Sequence, residues 1–262
     1  MVLHGLEGSA RSKYAFEMYR ALAAQGVEAV GLNFRSCSGE MNRAARLYHS
    51  GETSDLALVL DHLSAREPER ILGAVGFSLG GNVLLKYLGE HGNQVPATVR
   101  AAAAISVPFD LSAGADFLER GFARLYRRYL VRQLQDKVRN KAGVLNGRID
   151  LVRTRLARTF REFDGAVTAP LHGFCDAEDY YQRSSSARFL SAIAIPTLLI
   201  HSKDDPFLPQ SALPEAAVRA NSQITAVFTP HGGHVGFVSG SPFRPIFWAE
   251  REAARFLARH LG

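Results

Sequence analysis

The chain has 262 residues, 47% of them hydrophobic and 21% charged, and a formal net charge of +6. That is the composition of an ordinary globular protein, and it excludes a disordered tail, a collagen-like chain and a disulfide-stapled mini-protein. One domain over residues 1–262 is expected, long enough to bury a sizeable core, and the basic balance makes nucleic acid or an anionic lipid surface the partners to weigh.

The chain opens on Met1-Val2-Leu3-His4-Gly5, which has neither the basic nor the apolar region of a signal peptide. A helix is expected from near Ser12. Residues 27–34 read as a strand, 54–65 as a helix, 71–76 as a strand and 79–90 as a helix. Strands follow at 99–107, 195–201 and 224–228, and 246–261 reads as a closing helix. Strands alternating with helices predict a mostly parallel sheet with helices on both faces. The interval 111–161 breaks this rhythm. It reads as two or more helices with no strand and carries 13 Lys/Arg against 4 Asp/Glu, leaving +9. The whole chain carries only +6, so the remainder is slightly acidic and the basic character is local. We read 111–180 as a helical insertion that caps the core. No stretch reaches the ~18 apolar residues of a membrane helix, and a cytoplasmic protein is expected. Cys37 and Cys175 form no C-x-x-C pair, which fits a reducing compartment, with one bridge between them left open.

Gly76-Phe77-Ser78-Leu79-Gly80 matches G-x-S-x-G between a strand-like and a helix-like run. A bare match is weak. The strand–turn–helix context is what a nucleophile elbow requires, because small neighbours let Ser78 sit on a strained turn over a helix N-terminus. The competing reading is a glycine-rich turn with a capping serine. A nucleophilic serine needs a base and an orienting carboxylate, here in the chain order Ser, acid, His. Asp204-Asp205-Pro206 follows the strand at 195–201, and Asp205 is preferred with Asp204 as the alternative. His231-Gly232-Gly233-His234 follows the last strand. His234 is preferred because glycines flank it, and His231 remains open. A two-histidine metal site is disfavoured, since no Cys or acidic ligand adjoins these histidines in sequence. His4-Gly5-Leu6 resembles a turn that presents a backbone N–H, so the Leu6 and Leu79 amides are the expected oxyanion donors.

These stretches together resemble the YheT-like branch of the α/β-hydrolase superfamily. The resemblance rests on His4-Gly-Leu-Glu-Gly-Ser9, Asn33-Phe-Arg-Ser-Cys-Ser-Gly-Glu40, Tyr48-His-Ser-Gly-Glu-Thr53 and Gly76-Phe-Ser-Leu-Gly-Gly-Asn82. It continues in Thr168-Ala-Pro-Leu-His-Gly-Phe174, Asp204-Asp-Pro-Phe207 and Gly233-His-Val-Gly-Phe237. It implies an α/β-hydrolase fold and a serine hydrolase acting on carboxylic esters, with the triad carried onto Ser78, Asp205 and His234 and no cofactor or metal. Relatives of that kind include esterases, monoacylglycerol lipases, phospholipases and ester-forming acyltransferases. In that fold other strands precede the His-Gly-Leu turn. Here only Met1-Val2-Leu3 do, so the N-terminal strands are missing from this sequence; a start upstream of Met1 is expected, with a shortened, less stable or oligomeric variant as the alternative.

The expected substrate is a small ester, with lipid esters among the candidates. Phe122, Leu125, Tyr126, Tyr129 and Leu134 recur at helical spacing with Arg124, Arg127, Arg128 and Arg132 between them. They read either as an apolar face packed on the core with a solvated basic face, or as a helix touching anionic lipid. Acyl transfer to an alcohol by the same triad is the alternative reaction, and a non-catalytic ligand-binding protein of this fold is the alternative class. Nucleic acid is not expected, because the basic segment carries no recognisable motif and its aromatics are expected to face the core. Acyl length, the alcohol group and the oligomeric state are not readable from the sequence.

Overall fold

A computed structural model describes residues 1–241 and 243–262. Strands β1 (Val2–Leu3), β2 (Gly31–Leu32), β3 (Leu72–Phe77), β4 (Val99–Ile105), β5 (Thr197–Ser202) and β6 (Ile224–Thr229) form one parallel sheet in the order β2-β1-β3-β4-β5-β6. Strands β7 (Val238–Ser241) and β8 (Arg244–Phe247) pair antiparallel beside it. Helices α1 (Lys13–Ala23) and α12 (Trp248–Leu261) cover one face, and α2 (Ser54–Arg66), α3 (Leu79–His91) and α11 (Glu215–Ala220) the other. Between β4 and β5 run α4 (Leu111–Phe117), α5 (Ala123–Asn140), α6 (Ala142–Leu145), α7 (Leu151–Leu156), α8 (Phe160–Phe163), a π-helical turn Asp164–Thr168, α9 (Ala169–His172) and α10 (Ala177–Ser184).

Side chains alternate across a strand, so a strand covered on both faces feeds two cores. In β4, Ala101, Ala103 and Ile105 enter the layer under α12, while Ala102 and Ala104 enter the layer under α3. Alanine is a weak strand former. It is used here because small side chains bring both helical layers close to the sheet, and all four alanines are fully buried. The Gly76–Gly80 turn lies at the C-terminal end of β3, next to this central strand, where the strand ends of a parallel sheet define a crevice.

The alternating pattern, the parallel sheet and its helical faces match the sequence reading. Two elements differ. The strand expected at 27–34 is paired only at Gly31–Leu32, because its neighbour β1 is itself two residues long and a ladder cannot outrun its partner. Among the described residues β2 is the sheet edge, and Val30 beside it is 53% exposed. The closing helix starts at Trp248 rather than at 246. Pro245 favours extended backbone before it, and 244–247 pairs with 238–241 instead. Cys37 is buried, Cys175 is exposed, and both thiols are free.

The aromatics of α5 also depart from expectation. Phe122, Leu125, Tyr126 and Tyr129 are 86%, 65%, 53% and 61% exposed, so they do not face the core. The helix carries two apolar stripes and a single packed side. Ala123, Val131 and Val138 take the buried side, which turns the 122/125/126/129 stripe to solvent. No helix among the described residues is long and apolar enough to cross a membrane.

Candidate active site

Ser78 closes β3 and opens α3 with φ 51° and ψ −119°, a left-handed conformation that costs a serine free energy. The turn closes because its neighbours lack side chains. A Cβ on Gly76 would stand 2.5 Å from the Gly80 carbonyl oxygen, and one on Gly80 2.5 Å from the His4 carbonyl oxygen. This explains the spacing of the motif: the first glycine lets the helix start fold back on the strand, and the second lets it lie against the His4-Gly5 turn.

His234 Nε2 lies 2.9 Å from Ser78 Oγ, and His234 Nδ1 lies 2.9 and 3.1 Å from the two oxygens of Asp205. The Asp205 side chain is fully buried at the end of β5 and also accepts the Phe207 N–H at 2.8 Å. The Phe207 ring stacks on the His234 imidazole at 4.0 Å and 11°, holding its plane. The alternatives pair with each other instead. Asp204 accepts the Gly233 N–H at 2.8 Å and faces His231 Nδ1 at 3.3 Å, on the surface. The Gly233 N–H and the other donors around Asp204 hold its carboxyl below the usual range. So Ser78, His234 and Asp205 form one relay, while Asp204 and His231 brace the loop that carries it.

Leu6 and Leu79, the expected oxyanion donors, line the same cavity as Ser78. Leu79 is the first residue of α3, whose N–H has no intrahelical partner. Around Leu6, the Gly5 N–H donates to Tyr14 Oη at 2.8 Å, the Glu7 N–H to Tyr48 Oη at 2.8 Å and the Gly8 N–H to the Gly5 carbonyl. The Leu6 N–H donates to nothing among the described residues. His4 is structural. Its Nδ1 meets the Gly5 carbonyl oxygen at 2.7 Å, its Nε2 accepts the Phe34 N–H at 3.2 Å, and burial lowers its pKa to about 4, so it is the neutral tautomer.

Two cavities meet at Ser78 and His234. An inner one of about 120 Å³ runs beneath the helical stretch, walled by apolar residues such as Leu47, Leu118, Leu134, Phe163 and Val167. An outer groove of about 670 Å³ passes Gly5, Tyr14, Phe16, Tyr126, Tyr129 and Val238 to the surface. The π-helical turn brings Asp164 to the inner wall, and π-turns of this kind often mark functional sites. Burial pushes the Asp164 carboxyl up to about 6, although Thr168 Oγ1 at 2.5 Å and Tyr181 Oη at 2.8 Å donate to it. The folded pKa stands above the ordinary 3.8. The stability linked to its proton is therefore complete below about 3.8 and is lost as pH rises through about 6. Asp164→Asn is expected to gain on the wild type by up to about 3 kcal/mol between acid and pH ~8. Urea melts of both proteins across that range measure it.

His49, Glu52 and His172 bring three donor atoms within 4.8 Å of one another. They do not fit a divalent cation well. Glu52 is already bonded to Arg46 and Ser54, and the Arg46 cation, close enough to help lower the His49 and His172 pKa values to about 3 and 4 together with burial, would repel a metal ion there. Their evident part is structural. His49 packs its ring on His172 at 4.3 Å, and the Ser50 N–H donates to Tyr180 Oη, joining the 48–53 loop to α9 and α10. Arg35 likewise forms an ion pair with Asp55 and does not reach Ser78.

Sequence reasoning missed His201 and the role of Phe207. His201 is buried beside Asp205, its Nε2 3.5 Å from Oδ2, and burial lowers its pKa to about 4. A lone histidine ending a strand carries no signal for this. Its neighbour relation to Asp205 comes from the turn of chain after β5.

The chain matches the family described as the alpha/beta hydrolase fold over residues 1–241. It is 41% identical over its full length to an Escherichia coli K12 protein named "Putative esterase YheT", of which it spans 76%. It is 33% identical over 98% of its length to the mouse phospholipase ABHD3, of which it spans 62%. Among solved structures it superposes on the Pyrococcus furiosus esterase Pf2001 with a TM-score of 0.64 at 18% identity, covering 100% of this chain and 82% of that one.

Proposed function

Since the chain belongs to the α/β-hydrolase family, in its YheT-like branch, we propose that it is a serine hydrolase of carboxylic esters. The reading is carried by the unbroken relay Ser78 Oγ–His234 Nε2 and His234 Nδ1–Asp205, which stands at the junction of an apolar cavity and an open groove. Ser78 Oγ attacks the ester carbonyl while His234 Nε2 takes its proton. The Leu6 and Leu79 N–H groups receive the tetrahedral oxyanion. The intermediate collapses to an acyl-serine as His234 passes the proton to the leaving alkoxide. His234 then takes a proton from water, which attacks the acyl group and releases the acid and free Ser78. Asp205 fixes the imidazole tautomer throughout. No step needs a metal or an organic group. The inner cavity takes the acyl chain, and the outer groove takes the alcohol.

The test is hydrolysis of a p-nitrophenyl ester series from short to long acyl. A chain-length optimum is expected, and Leu134→Phe, which narrows the inner cavity, is expected to move it toward shorter chains. Hydrolysis of no ester by the wild type overturns the reading.

The reading extends to a lipid ester met at a membrane surface. The exposed stripe of α5 lies beside the groove mouth, where Phe16, Tyr126, Tyr129 and Val238 are half or more exposed. The stretch 111–161 adds local positive charge. Exposed aromatics beside arginines suit an anionic interface. Flotation with phosphatidylglycerol vesicles, falling with salt and absent with phosphatidylcholine alone, is expected, and Phe122→Ser/Leu125→Ser is expected to abolish it.

A further inference from the structure

We propose that Glu7 and Lys137 are positioning residues that set the oxyanion donor Leu6 from helix α5, so that one helix both lines the acyl cavity and holds the oxyanion turn. The inference rests on the ester-hydrolase reading. Glu7 follows Leu6 with φ 54°, a left-handed conformation that a glutamate does not hold without support. The support is on three sides. The Glu7 N–H donates to Tyr48 Oη at 2.8 Å, Tyr48 Oη donates to Glu7 Oε1 at 2.6 Å, and Lys137 Nζ donates to the same oxygen at 2.8 Å. Tyr48 is itself fixed, stacked on Phe34 at 5.5 Å and 7°, with Lys137 Nζ 4.8 Å above its ring. Lys137 Nζ lies 3.2 Å from Cys37 Sγ as well.

The pair is buried, with side-chain exposures of 7% for Lys137 and 9% for Glu7. Burying two charges carries a desolvation cost that an apolar pair would avoid. An arrangement retained at that cost is informative when it holds a strained residue next to the reacting atoms. The residue before Leu6 is clamped too, through the Gly5 N–H to Tyr14 Oη. The Leu6 peptide therefore lies between two fixed neighbours, which is what a preorganised oxyanion donor needs. Leu130, Leu134 and Lys137 form one stripe of α5 along the inner cavity. An acyl chain in the cavity touches the same stripe that grips Glu7, 130 residues away in sequence.

The test uses the full chain as wild type, Lys137→Met, Glu7→Gln and the double variant, with Lys137→Arg as the conservative replacement. The readouts are kcat and KM on the best p-nitrophenyl ester, inhibition by the trifluoromethyl ketone of the same chain length, and inhibition by the methyl ketone that forms no stable tetrahedral adduct. Lys137→Met is expected to lower kcat by about 10- to 100-fold and Glu7→Gln by about 10-fold, with KM within about threefold. Trifluoromethyl ketone affinity should fall with kcat, because only the tetrahedral adduct uses the oxyanion donors. Methyl ketone affinity should hold. The double variant should be no worse than the worse single one, and Lys137→Arg should recover part of the loss.

Unchanged kcat in the variants, or equal losses for both ketones, overturns the proposal. Should Lys137→Met fail to melt cooperatively, the isosteric Glu7→Gln decides alone. A wild type that hydrolyses no ester and forms no trifluoromethyl ketone adduct removes the ester-hydrolase reading, and the positioning role falls with it. An active wild type with indifferent variants removes only the positioning role.

Discussion

Ser78→Ala is expected to lose ester hydrolysis by about 10⁵- to 10⁶-fold while its thermal melt stays that of the wild type. The size follows from the relay. With no Oγ at the position 2.9 Å from His234 Nε2, the imidazole has no nucleophile to deprotonate, and only the amide donors and binding remain. The melt separates chemistry from folding, because Ser78 carries strain and no structural hydrogen bond through its side chain other than that to His234. At φ 51° an alanine is as strained as the serine. Ser78→Gly accepts that conformation freely and is expected to be inactive yet more stable by about 1 kcal/mol. Such a gain in a dead enzyme would identify the turn as strain held for function. Retained hydrolysis in Ser78→Ala would place the nucleophile elsewhere.

Asp205→Asn is expected to cost about 10⁴-fold in kcat, and the same change at Asp204 less than about 10-fold. The two residues are adjacent in sequence and opposite in surroundings. The Asp205 carboxylate is fully buried and accepts from His234 Nδ1, so the free imidazole nitrogen faces Ser78. An amide there can turn its NH₂ toward Nδ1, which leaves Nε2 protonated and unable to take the serine proton. The Asp204 carboxylate is partly exposed and bonds the Gly233 N–H. An asparagine keeps an acceptor oxygen for that bond, so the loop carrying His234 keeps its course. Similar losses at both positions would mean that loop geometry rather than tautomer control dominates.

The relay at Ser78 also bears on how substrate reaches the site. The outer groove opens where α5 shows its solvent-facing aromatics, and the inner cavity lies along the packed side of that helix. One helix thus borders the outer groove, the inner cavity and, through Lys137, the Leu6-Glu7 turn. Changes in α5 should therefore be read in kcat and in vesicle binding separately. The N-terminal half carries the exposed aromatics, and the C-terminal half carries the ion pair.

Local features were enough for part of this. Gly76, Ser78 and Gly80 between an apolar strand and a helix specify the elbow, because glycine spacing is a requirement of backbone approach within five residues. Alternation of short apolar runs with amphipathic ones likewise specifies a parallel sheet with two helical faces, since each strand must be buried on both sides. Neither needs knowledge of distant contacts. The tertiary structure alone decided what depends on direction and on distant partners. Asp205 turns inward and Asp204 outward after β5, a difference of side-chain direction between adjacent residues of the same type. His234 and His231 are both followed or preceded by glycine, and only the course of the loop brings His234 to Ser78. The strand at 27–34 has pattern to spare and is cut to two residues by the length of its neighbour. The apolar residues of α5 fit two stripes equally well, and packing chose one. Glu7 and Lys137 pair across 130 residues, where a glutamate in a turn and a lysine in a basic helix carry no local mark of each other.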